Sequence, residues 1–147
     1  MSKEIERKFL VINDSYKSMA THSIEIIQGY LSRKIEATVR VRITGDTARL
    51  TVKGANSGIV RNEWEYDIPL IDAREMLSDC ASGRVISKTR YVVPYGGSVW
   101  EVDNFHGDLE GLTVAEIELP DKESDFRLPP FVGREVSGDP AYYNSNL

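Results

Sequence analysis

Met1-Ser2-Lys3-Glu4-Ile5-Glu6-Arg7-Lys8-Phe9-Leu10 is the stretch on which the fold turns. Glu4, Glu6 and Lys8 alternate with Ile5, Arg7 and Phe9. Successive side chains of a β-strand point to opposite faces, so an extended segment puts two carboxylates and an ammonium on one face, with Ile5 and Phe9 on the other. Two carboxylates one pleat apart repel each other unless a cation stands between them. That cation is a metal, a basic side chain, or solvent with its ions.

Similar strands follow. Residues 23–32 form a β-branched run. Residues 38–44 and 48–53 alternate on either side of Gly45-Asp46 and read as a hairpin, and 60–68 follows the loop 54–58. Residues 85–93 and 98–104 flank Pro94-Tyr95-Gly96-Gly97 as a second hairpin, and 113–119 ends at Pro120-Asp121. With residues 3–12 this makes eight strands. Short helices are predicted over 16–20, after the capping signal Asn13-Asp14-Ser15, and over 69–77, with a proline near the start and Gly83 past the end. Beyond 119 the sequence offers Phe126-Arg127-Leu128, a double proline, and a polar tail from Asp139 that suits a short helix. No repeat or interdomain linker breaks residues 1–147, which read as one domain.

One face of these strands carries charge in strand after strand. The acids are Glu4, Glu6, Glu63, Glu65, Glu101, Asp103, Glu116 and Glu118; the bases are Lys8, Arg40, Arg42, Lys53, Arg61, Lys88 and Arg90. The opposite face carries Val39, Val41, Ile43, Leu50, Val52, Trp64, Trp100, Val102, Ile117 and others. A half-buried sheet with its charged face in water explains any single strand. It explains the set less well, because like-charge neighbours on a bare sheet destabilise it. The other arrangement closes the sheet into an eight-stranded antiparallel barrel, an α+β fold with a charged lumen and a few helices packed outside. Such a lumen is wide enough for one small ligand, and buried charges need partners or a charged ligand. Eight acids and seven bases leave −1, so two divalent cations would make the lumen +3, a host for a polyanion.

The formal net charge of −5 argues against non-specific nucleic-acid binding. A single cysteine, Cys80, a charged start without an apolar signal region, and no long apolar run predict a soluble, cytoplasmic protein away from membranes. There is no glycine-rich phosphate loop, so side chains would hold any phosphate. His22 and His106 lack zinc-like spacing and read as solvated loop residues, and Cys80 as inert. Arg7, Glu110 and Glu135 read as surface, while Trp64 and Trp100 read as core under a helix.

Glu4-Ile5-Glu6-Arg7-Lys8 resembles the ExExK signature of the CYTH proteins, the triphosphate tunnel metalloenzymes. The likeness continues in order through Val39-Arg40-Val41-Arg42, Thr51-Val52-Lys53-Gly54, Arg61-Asn62-Glu63-Trp64-Glu65, Lys88-Thr89-Arg90-Tyr91, Trp100-Glu101-Val102-Asp103 and Ala115-Glu116-Ile117-Glu118-Leu119. The short length and the Glu-Arg-Lys-Phe-Leu-Val opening look most like the compact bacterial branch. The resemblance implies a triphosphate-binding tunnel and hydrolysis of inorganic tripolyphosphate to pyrophosphate and phosphate. Other members of the family act on thiamine triphosphate or RNA 5′-triphosphates, or cyclise ATP as an adenylyl cyclase; a non-catalytic polyphosphate binder is a further alternative. By the same resemblance Glu4, Glu6, Glu63, Glu65, Asp103, Glu116 and Glu118 hold Mg2+ or Mn2+, two ions per site. Lys8, Arg40, Arg42, Lys53, Arg61, Lys88 and Arg90 grip phosphate. Tyr30 aligns with a tyrosine that pairs, in some relatives, with a lysine near the leaving group, so Lys8, Tyr30 and Lys88 are the catalytic candidates. A homodimer is expected only on general grounds.

Overall fold

The computed structural model describes residues 2–147. Strands β1 (Ser2–Val11), β2 (His22–Lys34), β3 (Ala37–Thr44), β4 (Thr47–Lys53), β5 (Val60–Ile68), β6 (Ile86–Tyr95), β7 (Ser98–Phe105), β8 (Thr113–Glu118) and β9 (Val132–Glu135) alternate with helices α1 (Tyr16–Met19) and α2 (Leu70–Asp79). Short 3-10 turns lie at Gly107–Leu109, Pro140–Tyr142 and Asn144–Asn146. The sheet runs β5-β4-β3-β2-β6-β7-β8-β1-β9, and β5 also pairs with β1, so eight antiparallel strands close on themselves. No helix among the described residues is long and apolar enough to cross a membrane.

β1 is the seam. Its one edge meets β8, as in the bond from Leu119 N to Ile5 O at 2.7 Å. Its other edge takes β5 along the first half and β9 along the second: Glu4 faces Arg61, while Val136 N donates to Lys8 O at 2.8 Å. β9 is a ninth strand that the eight-strand reading lacks. It is four residues long, with a glycine and two charges, too short to show alternation.

The apolar faces of the strands point out of the barrel. Phe9, Val93, Trp100, Val102, Ala115 and Ile117 pack there with Tyr16 of α1 and Phe131. α2 lays Ala73 and Leu77 over Val41, Ile43 and Ala48. Gly29 makes this approach possible, since a Cβ there would stand 2.7 Å from Leu77 Cδ2. The hairpin between β6 and β7 turns through Gly96 (φ 58°) and Gly97 (φ 81°), the left-handed pair that a two-residue turn with the twist of its strands requires.

Trp100 is buried as expected, but Trp64 is 36% exposed. In the sheet register α2 covers the row of Ile43, Ala48 and Ile68, and it leaves the row of Val39, Val52 and Trp64 partly open. His22 is the first residue of β2 rather than a loop residue. His106 lies beside a 3-10 turn, within 2.7 Å of Thr89 Oγ1. Arg7 and Glu135 join β1 to β9 through two bonds of 2.8 and 2.6 Å.

Candidate active site

The strand alternation that sends Phe9 and Trp100 outward sends Glu4, Glu6, Lys8, Arg40, Arg42, Lys53, Lys88, Arg90, Asp103 and Glu116 inward. Two residues further along four of these strands the same face becomes apolar. Leu10, Ile86, Phe105 and Val114 gather there with Leu147 and close that end of the lumen. The segment 136–147 folds back over the interior: Lys8 Nζ donates to Tyr142 O at 3.0 Å, and Ser137 Oγ accepts from Lys8 N at 2.8 Å. Beneath it lies a partly open cavity of about 90 Å3, whose walls include Glu6, Lys8, Tyr30, Arg40, Lys53 and Tyr143.

The charges fall into three groups. In the deepest, Lys88 Nζ lies 2.6 Å from Asp103 Oδ2, and Arg90 grips the same carboxylate through Nε (2.8 Å) and Nη2 (3.0 Å). Burial raises the Asp103 carboxyl, but the two cations overturn that and hold it well below the usual carboxylate range. Burial brings the Lys88 ammonium down to about 7; Asp103 opposes this, and Arg42 and Arg90 add to it. Asp103 is therefore not placed with the other proposed metal ligands, because both its oxygens are taken by cations.

The second group is cationic. Arg42 Nε donates to Gln28 Oε1 at 2.8 Å, and burial, with Arg40 and Arg90 nearby, lowers its guanidinium to about 10. Arg40 Nη2 reaches Thr51 Oγ1 at 3.2 Å and lies 3.7 Å from Glu65. Glu65 sits at the rim, held by Thr51 and Arg49. Arg61 bonds Gly54 O and Thr38 Oγ1.

The third group is acidic. Glu6 stands opposite Glu118 and Lys8 opposite Glu116 across β1 and β8. Burial and then Glu116 and Glu4 push the Glu6 carboxyl well up; burial and neighbouring glutamates also raise Glu63 and Glu118. Glu4 is lowered against its burial by Lys53, whose Nζ reaches its two oxygens at 2.9 and 2.7 Å. Lys8 lies 3.3 Å from Glu116 Oε1, too poorly aligned to bond it, so that buried oxygen has no donor.

This donor set suits a hard divalent cation: crowded carboxylates, an orphaned carboxylate oxygen and no sulfur or imidazole. Among the described residues no three acidic, histidine or cysteine side chains form a ready coordination shell. The Lys53 ammonium takes the counter-ion's place at Glu4. Of the residues singled out in the sequence, Lys8, Tyr30, Arg40, Lys53, Arg61, Glu4 and Glu6 share the cavity wall, whereas Arg42, Lys88, Arg90, Asp103 and Glu116 lie in the lumen outside it. Gln28, Thr38 and the wall residues of 136–147 join the site with no motif to mark them as site residues, and Thr51 is marked only as a neighbour of Lys53. The even-numbered register of β2 with Tyr30 was the signal for Gln28.

The sequence matches the CYTH domain over residues 2–143, and the chain belongs to that family. It is 50% identical over 147 residues to the inorganic triphosphatase of Acetivibrio thermocellus, covering 100% of this chain and 94% of that one. It is 36% identical over 149 residues to the inorganic triphosphatase of Nitrosomonas europaea, covering 98% and 95%. The crystal structure of the inorganic triphosphatase NE1496 superposes with a TM-score of 0.67 at 33% identity, over 97% of this chain and 95% of that one. HpAC1 from Hippeastrum, 13% identical with a TM-score of 0.62 over 80% of each chain, shares the fold.

Proposed function

We propose that this protein is a metal-dependent inorganic triphosphatase that cleaves tripolyphosphate to pyrophosphate and phosphate. The observation that carries the reading is the pocket in the barrel where Lys8, Arg40, Lys53 and Arg61 line the same walls as Glu4 and Glu6. Cations set beside carboxylates suit a phosphate chain that carries a divalent metal. The names of the relatives at 50% and 36% identity support it.

Phosphoryl transfer asks mainly for positioning and charge stabilisation. Lys8, Arg40, Arg42, Lys53, Arg61 and Arg90 supply fixed donors for the phosphoryl oxygens. Asp103 holds Lys88 and Arg90 in place. Lys88, with its ammonium near 7, carries a proton that it can exchange at neutral pH. Tyr30, on the cavity wall with Lys8, is a hydroxyl donor for the phosphate chain. Glu4, Glu6, Glu63, Glu116 and Glu118 would hold Mg2+ or Mn2+, with Glu65 and Asp103 outside that group. When bound, the metal neutralises substrate charge and acidifies water. Lys53, freed from Glu4 by a metal there, would turn to the substrate. The exposed, unpaired Cys80 suits a reducing compartment, so we place the protein in the cytoplasm.

The test is a panel of tripolyphosphate, ATP and thiamine triphosphate with Mg2+ or Mn2+. Phosphate release from tripolyphosphate in preference to the others is expected. Cyclic AMP from ATP would identify a cyclase instead, and tight tripolyphosphate binding with no turnover a binding module.

A further inference from the structure

Most lumen cations have a carboxylate within ion-pair distance. Lys8 has Glu116, Arg40 has Glu65, Lys53 has Glu4, and Lys88 and Arg90 share Asp103. Arg61 has none among the described residues, but it spends Nε and Nη2 on backbone carbonyls and Thr38. Arg42 differs from all of these. Its partner among the described residues is a neutral amide, Gln28 Oε1 at 2.8 Å, met by Nε alone. Its two terminal nitrogens have no bonds there.

Gln28 is itself fully buried on the lumen face, one pleat from Tyr30 and directly across from Arg42. A guanidinium has donors and no acceptor, so the amide oxygen must face Arg42 and the amide nitrogen must face away. That nitrogen, Nε2, finds no acceptor among the described residues. A buried donor without an acceptor is destabilising, and this one lies on the lumen face directly beside Arg42, where an acceptor bound to Arg42 would satisfy it.

We propose that Gln28 is a positioning and substrate-binding residue: it fixes Arg42 without neutralising it and offers its own amide N–H to the phosphoryl group that Arg42 holds. A glutamate here would fix Arg42 equally well and cancel its charge. A glutamine keeps the orientation, leaves the positive charge for phosphate, and adds a neutral donor beside it. The inference rests on the reading of Arg42 as a phosphate-gripping cation.

The experiment compares Gln28→Glu, Gln28→Met and Arg42→Met in melting temperature and in steady-state kinetics on tripolyphosphate at saturating Mg2+. Gln28→Glu is expected to melt at or above the parent temperature, since Arg42 gains a carboxylate, while KM rises about tenfold or more. Gln28→Met keeps the volume but removes both acceptor and donor; its melting temperature falls and KM rises severalfold. A purely structural Gln28 would give the reverse order in KM, with Glu the better substitute. Parent-like KM and kcat in Gln28→Glu, or in a folded Gln28→Met, overturns the proposal. If Arg42→Met alone raises KM, Arg42 keeps its role and only the role of Gln28 falls. If Arg42→Met has a normal KM, the assignment of Arg42 to phosphate falls, and that of Gln28 with it.

Discussion

Glu6 faces Glu118 across β1 and β8 and has Glu4 one pleat away. Its carboxyl is raised by burial and by Glu116 and Glu4, so the folded chain keeps that proton to higher pH than the unfolded chain does. Stability contributed by the protonated form is lost as pH climbs from the ordinary value of 4.5 through the raised one. Above its ordinary range Glu6 therefore costs the metal-free fold stability. Glu6→Gln is expected to stabilise the metal-free protein by roughly 1 kcal/mol and to abolish the rise in melting temperature that Mg2+ or Mn2+ gives the parent. Equal metal-induced shifts in both would remove Glu6 from the metal site. Lys88 has the opposite sense. Its ammonium titrates near 7 in the folded chain against an ordinary 10.5, so between those values the unfolded chain binds a proton that the folded chain lacks. Stability then rises with pH across that window. Urea unfolding of the parent and of Lys88→Met at several pH values tests this. The parent-minus-variant difference should climb from about pH 7 to about 10.5, and a flat difference would refute the assignment. Asp103 keeps both its Arg90 bonds in the variant, so the fold survives, and tripolyphosphate turnover should fall by about 100-fold or more.

Among the elements, β9 and the residues before it hold the covering segment in place. Phe131 is fully buried, 5.9 Å from the Tyr16 ring and edge-on to it. Arg7 stacks 4.8 Å from the centre of Phe126 and clasps Glu135, with about a third of each ion-pairing side chain in water. Phe131→Ala should cost about 3–5 kcal/mol, and Arg7→Ala about 1 kcal/mol or less. Denaturant unfolding separates them. Phe131→Ala should also speed hydrogen exchange at Val136 N–H, which Lys8 O accepts. The sequence made most strands legible because their signals are local: alternation in 38–44 and 48–53, and paired glycines between β6 and β7. The charges faced inward as expected because the outer face carries the aliphatic and aromatic residues that α1 and α2 cover. β9 was not legible, since pairing with β1 over more than 120 residues of separation leaves no local pattern in Val-Gly-Arg-Glu. Gln28 escaped for a related reason. A neutral amide in an apolar strand reads as a solvent-facing residue until the register sets it beside Arg42. Trp64 reads as core by type, and its exposure follows only from where α2 ends its cover.

At the scale of the whole molecule, closure of the barrel supplies the charge and the segment 136–147 supplies one wall of the pocket. The motifs of the strands specify phosphate and are silent on what may be attached to it; part of the wall that an attached group would meet is built by residues with no motif. Tyr143, Asn144 and Ser145 form part of the wall, Tyr142 O holds Lys8, and Leu147 joins the apolar plug. A chain cut after Gly138 removes all five. It should open the lumen from one side and admit larger triphosphates. The ratio of ATP to tripolyphosphate hydrolysis is expected to rise about tenfold, with tripolyphosphate kcat/KM lower because Lys8 loses one of its anchors. The loss of Leu147 packing should lower the melting temperature as well, so Tyr143→Ala, which leaves the plug intact, serves as the milder comparison and should move the ratio in the same direction. If both variants fold and discriminate as the intact chain does, the covering segment is a structural strap, and the choice of an inorganic substrate must be made by the charged strands themselves.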